Sequence, residues 1–105
     1  MSEYGKRPGG GRKGAGFFGE LKRPDGKIST ELTAGFDFGD GDGEEEVPLL
    51  VPTLTKSQIT HLLSGKNPTD DIYEAASQFA LARKRAGMPY YATPEEEGLY
   101  KVPAK

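Results

Sequence analysis

The sequence predicts an α+β fold: a small three-stranded antiparallel sheet followed by two helices, with extended N- and C-terminal segments. Apolar and polar side chains alternate between positions 28 and 38, the period of a half-buried strand. The second half carries apolar residues at helical spacing, with a start signal before each run. Glycine and proline clusters separate these stretches, and no regular element tolerates them.

The first sixteen residues read as a basic, glycine-rich arm. Lys6, Arg7, Arg12 and Lys13 stand against Glu3 alone, and glycine's backbone entropy opposes order. The core domain spans 17–89. It opens with an extended stretch, then Pro24-Asp25-Gly26. Pro presets φ early in a turn and Gly accepts positive φ later, so the chain reverses there. In the strand that follows, Ile28, Thr30, Leu32, Ala34, Phe36 and Phe38 share the inner face. Lys27, Ser29, Glu31, Thr33 and Asp37 share the outer one. Gly39-Asp40-Gly41-Asp42-Gly43 forms a loop. The chain returns through Val47, Leu49 and Val51, which face inward with Leu50 opposite. Pro48 and Pro52 lack a donor and make this an edge strand or an irregular extended segment.

Thr55 and Gln58 form a capping box, and Ile59, Leu62 and Leu63 supply the stripe of a short helix. Ser64-Gly65 stops it. Pro68, Thr69, Asp70 and Asp71 start the second helix, whose inner stripe is Ile72, Ala75, Ala76, Phe79 and Ala80. Arg83, Lys84 and Arg85 lie in its last turn and complement the helix dipole. Gly87 fits the left-handed position after the cap, and Pro89 prevents continuation. Residues 90–105 form an aromatic tail without a clean period, able to pack back on the core or to meet a partner.

Composition narrows the function. The chain has 105 residues, with 14 Lys+Arg against 16 Asp+Glu and no Cys. One domain is the ceiling, and thiolate nucleophiles, disulfides and Cys-ligated metals are excluded. No apolar run reaches the length of a membrane span, and no signal-peptide core is present, so the expectation is a soluble intracellular chain. The acidic loop gathers Asp37, Asp40, Asp42, Glu44, Glu45 and Glu46, residues that suit a hard cation. The EF-hand register fails, with Phe38 at the first ligand position and Leu49 at the twelfth. The bland reading is a solvated hairpin tip whose charge discourages edge pairing.

His61 is the lone histidine, and no spacing points to an orienting carboxylate or a nucleophile for it. Glu20 and Glu31 sit on separate strands, with Glu31 expected in solvent, which disfavours a glycosidase pair. The arm's glycines lack the Gly-Lys-Ser/Thr end of a phosphate loop. Its cations could follow a phosphate backbone, with Tyr4 stacking. The slightly acidic whole chain favours a protein groove at least as well.

One combination of motifs resembles a known group. Gly16-Phe-Phe-Gly-Glu-Leu-Lys-Arg-Pro-Asp-Gly-Lys-Ile-Ser-Thr-Glu31, then Val47-Pro-Leu-Leu-Val-Pro-Thr-Leu-Thr55, a short helix, a Pro-Thr helix start and Gly87-Met-Pro-Tyr-Tyr91 run in order. Over about residues 16–92 this resembles a small domain of tailed bacteriophages, found free-standing or inside long virion-associated polypeptides. The group lends no catalytic residue to any position here. The acidic loop at 39–46 is longer than in its relatives, and Tyr90-Tyr91 varies the usual ending.

The resemblance implies a non-enzymatic structural or accessory protein of the particle, present in the virion and in the host cytoplasm during assembly, with no cofactor. Its expected partners are other virion proteins, its own copies included. The expected partner-binding residues are Lys6, Arg7, Arg12 and Lys13 in the arm, and Tyr90, Tyr91, Leu99 and Tyr100 in the tail. The alternative is a small nucleic-acid-binding accessory protein that uses the same arm. A wall-degrading hydrolase built on His61, Glu20 and Glu31 is the weakest reading.

Overall fold

The computed structural model describes residues 14–39, 41 and 43–104. Six elements follow in order: β1 (Leu21–Lys22), β2 (Ile28–Ser29), β3 (Thr33–Asp37), β4 (Glu44–Pro48), α1 (Lys56–Leu63) and α2 (Asp70–Arg85). The class is α+β, with helices and small antiparallel sheets.

The expected three-stranded meander is instead two separate two-stranded ladders, β1-β2 and β3-β4. Pro24-Asp25-Gly26 closes the first hairpin as expected. Gly26 N–H donates to Arg23 O at 3.0 Å and Arg23 N–H to Lys27 O at 2.7 Å. Gly26 has φ 85°, which only glycine adopts freely. The Asp25 carboxylate accepts from Lys27 N–H at 2.9 Å. In the second ladder Thr33 opposes Pro48 and Asp37 opposes Glu44.

The run over 28–38 is thus two strands with a break at Thr30-Glu31-Leu32. Its facing also differs from the alternation: Ile28 is 53% exposed, while Ser29, Thr30 and Glu31 are buried. The residues preceding β1 explain this, because they lie over the break. Gly16, at φ 75°, approaches so closely that a Cβ there would stand 2.0 Å from Thr30 O. Main chain thus lies against the break at Thr30, and the Glu31 carboxylate accepts from Gly14 N–H at 3.0 Å.

The core also departs from the expected Ile28/Leu32/Phe36 face. Its buried cluster is Phe17, Phe18, Leu49, Leu50, Val51, Leu54, Ile59, Leu62, Ile72 and Ala76, while Leu32, Ala34 and Phe36 pack at its margin. Leu50 lies inside with its neighbours rather than opposite them. Pro48 and Pro52 end ladder pairing, and the chain curls between them. Leu49 N–H reaches Leu32 O at 2.6 Å, and Val51 N–H turns back to Leu49 O at 3.0 Å. A curled segment has no period of two, so consecutive side chains all enter the core.

The helices follow their signals. Thr55 caps α1 in a complete capping box, with Gln58 N–H donating to Thr55 Oγ1 at 3.2 Å and Thr55 N–H to Gln58 Oε1 at 2.8 Å. Gly65, at φ 82°, ends it. Thr69 is the N-cap residue of α2, but its side chain makes no cap hydrogen bond. Its hydroxyl donates to the Asp71 carboxylate, which also accepts from Gln58 Nε2 at 2.8 Å and so ties α1 to α2. At the far end Gly87 turns left-handed at φ 73°. Met88 N–H then closes on Arg83 O at 2.8 Å, the expected stop. No helix among the described residues is long and apolar enough to cross a membrane.

Candidate partner-binding surface

Arg83 organises the region where the chain ends meet. It lies in the last turn of α2, four residues after Phe79 and seven after Ala76. That spacing puts it on the buried stripe, and it is only 6% exposed. Its guanidinium lies over the rings of Phe17 and Phe79, with centroids at 5.2 and 5.7 Å. Each of its three nitrogens donates. Nη1 and Nη2 donate to the two Glu96 carboxylate oxygens at 2.9 and 2.8 Å, a fork-to-fork pair. Nη2 also donates to Tyr91 O at 3.1 Å, and Nε donates to Pro89 O. Arg83 therefore draws the chain after α2 back onto the core.

Glu96 is presented by a local signal. Thr93, Pro94 and Glu96 have the order of a helix start. Thr93 N–H and Oγ1 both donate to Glu96 Oε1 at 3.0 Å, and Glu96 N–H closes the turn on Thr93 O at 2.9 Å. Hydrogen bonds from Arg83 and then from Thr93 N–H hold the Glu96 carboxyl down at about 2 from its ordinary 4.5.

This turn leads the tail across the residues where the described chain begins. Gly98 N–H donates to Gly16 O at 2.9 Å and Tyr100 N–H to Phe17 O at 3.0 Å. Ala15 N–H donates to Glu97 Oε1 at 3.2 Å, and Gly14 N–H to Glu31 Oε2 at 3.0 Å. The Tyr100 ring meets Phe17 edge-on, centroids 6.0 Å apart. Phe17 also meets Phe79 edge-on at 5.2 Å.

The expected partner-binding residues fall into three groups. Lys6, Arg7, Arg12 and Lys13 lie outside the described residues. Tyr90 and Tyr91 are worked into the fold. The Tyr90 hydroxyl donates to Glu45 Oε1 at 2.8 Å, while Lys84 Nζ pairs with Glu45 Oε2 at 2.6 Å. Burial, and then the Glu45 carboxylate, push the Tyr90 phenol up from its ordinary value. Its ring lies 6.1 Å from that of Phe38. Tyr91 is half-buried and lends its carbonyl to Arg83. Leu99 and Tyr100 are open to solvent, at 63% and 37% exposure, and Val102 joins them at 38%.

The other chemical candidates are placed as follows. His61 Nε2 meets Asn67 O at 2.7 Å. The ring lines an open cleft of about 170 Å³ with Ser57, Gln58, Thr69, Asp71 and Ile72. Glu31 corrects the expectation of a solvent-facing carboxylate: it is buried and holds Gly14, while Glu20 is exposed. Of the acidic loop, Asp40 and Asp42 lie outside the described residues. Among the described residues no group of three or more His, Cys, Asp or Glu could hold a metal ion.

Arg83 and Glu96 are the residues that sequence reasoning missed. The signal was present in the spacing Ile72, Ala76, Phe79, Arg83 and in the Thr93-to-Glu96 capping pattern. No family model, curated protein or solved structure matches the chain.

Proposed function

We infer that this chain is a non-enzymatic structural or accessory protein of a tailed-phage particle, one that binds neighbouring virion subunits through its two ends. The observation that carries the reading is the joining of those ends. Gly98 and Tyr100 hydrogen-bond Gly16 and Phe17, so the tail and the root of the basic arm leave the fold from one place. Lys13 and Arg12 directly precede Gly14 in the sequence, and Leu99 stands exposed beside the junction. Cations and apolar side chains together can form a contact that neither end supplies alone. The resemblance of the ordered motifs to the tailed-phage domain supports the setting proposed: the virion, reached from the host cytoplasm.

The test is incorporation. Particles purified from a phage that encodes the chain are analysed by quantitative mass spectrometry, alongside variants that lack residues 1–13 or carry Leu99→Ser with Tyr100→Ser. A fixed copy number in the parent, sharply reduced in both variants, is the expected result. Presence in infected cells with absence from particles overturns it. Duplex binding that weakens steeply with salt and disappears without residues 1–13 would replace the protein partner by nucleic acid.

A further inference from the structure

We propose that residues 93–102 form a releasable strap that couples the two ends, so that a partner lifting the tail also frees the root of the arm and uncovers Phe17. The partner's part in this rests on the reading above; the coupling itself belongs to the free chain.

The strap is held by few contacts. Glu95, Glu97, Leu99, Lys101 and Val102 are exposed, so little of it is buried by apolar packing. What retains it is the Arg83–Glu96 fork, the two main-chain bonds from Gly98 and Tyr100, and the Tyr100 ring on Phe17. Those main-chain bonds end on Gly16 and Phe17, and Glu97 takes Ala15. The root therefore shares most of its anchors with the strap. Contacts of the root's own are Gly14 with Glu31, Gly19 N–H with Gly16 O, and Gly16 packed against Thr30 O; beyond them Phe17 and Phe18 are seated in the core.

Two segments that hold each other must open together if each is weakly held elsewhere, and the coupling is reciprocal. Lifting the strap strips the cover from Phe17, which is 1% exposed in the closed form. Phe17, Phe79 and the Arg83 cation would then line a groove suited to a segment with an aromatic residue and a carboxylate, the chemistry the strap itself presents. Leu99 and Val102 give a partner its first grip without any opening.

Amide hydrogen exchange by NMR on the full chain, near neutral pH, tests the coupling without any partner. Glu96→Gln is expected to speed exchange at Gly98 and Tyr100 by ~10-fold or more, and at Gly14, Ala15 and Gly19 by a matching factor. Ala76 and Ala80 in α2, which open with the whole fold, should remain slower than both groups. Acceleration at Gly98 and Tyr100 with no change at Gly14, Ala15 and Gly19 overturns the proposal, and so does no acceleration at all. If the variant loosens throughout, exchange of the unmodified chain in low denaturant decides. Strap and root amides merging on one opening, below that of α2, support the coupling; two separate openings overturn it. Failure here leaves the incorporation reading intact, because independent ends could still bind partners.

Discussion

Arg83 donates to four acceptors while the rings of Phe17 and Phe79 lie beside its guanidinium. A buried cation of this kind stabilises little against an apolar replacement, yet it is costly to leave unpaired. Arg83→Met alone and Glu96→Leu alone should each lose about 3–5 kcal/mol in urea unfolding. Arg83→Met combined with Glu96→Leu should recover most of that loss, a coupling that a double-mutant cycle reads directly. The same pair sets an acid limit. Glu96 is held at about 2 against 4.5. A carboxyl lowered on folding contributes its stability above the unfolded value, and that contribution fades as pH falls toward the folded one. The contribution is on the order of 2–3 kcal/mol, discounted for the 16% of the Glu96 side chain that solvent reaches. Unfolding midpoints should therefore drop between pH 4.5 and pH 2. The difference between parent and Glu96→Gln should shrink over that window.

At the scale of elements, the two helix starts make a contrast. Thr55 caps α1 by accepting a backbone N–H, whereas the Thr69 hydroxyl serves the Asp71 carboxylate. Thr55→Ala should cost about 1 kcal/mol, and Thr69→Ala less than ~0.5 kcal/mol, in the same unfolding assay. Both helices, the Pro24 turn and the Gly65 and Gly87 stops were legible because each is decided within a few neighbouring residues. The sheet was not. Alternation between 28 and 38 is real, but ladder partners are chosen by distant chain, and the run breaks at Thr30 where Gly16 packs against its carbonyl. The prolines at 48 and 52 warned of an irregular segment, but the alternating pattern still placed Leu50 outside. Arg83 was misread for a related reason. Its charge outweighed its place on the stripe, and the carboxylate that makes burial tolerable lies thirteen residues on. Of the tail residues, Leu99 is open to solvent, the Tyr100 ring lies against Phe17, and Tyr90 and Tyr91 are engaged within the fold.

For the whole molecule, the order of accessibility follows from which segments the core holds. Lys101 is exposed beyond the last strap contact, and Arg83 is buried in the helix. Limited trypsin digestion should cleave after Lys101 quickly and after Arg83 only at the rate of global unfolding, as mass spectrometry of the fragments would show. Fast cleavage at Arg83 would mean that the end of α2 opens on its own. The contacts that join strap and root are the long-range closures of the chain: Ala15 to Glu97 spans 82 positions. Such closures form late, because the loop entropy is lost before the contact returns anything.

The side-by-side bonding of Gly16 with Gly98 makes this fold a module that can be spliced into another chain. A domain whose entry and exit touch occupies a host loop as a short stalk would, without prising the host's flanking strands or helices apart. The host polypeptide would enter ahead of Gly14 and leave after Val102, its continuity interrupted in sequence but hardly in space. The same fold could therefore stand as a separate protein or as an inserted knob on a longer one, with no change to its core.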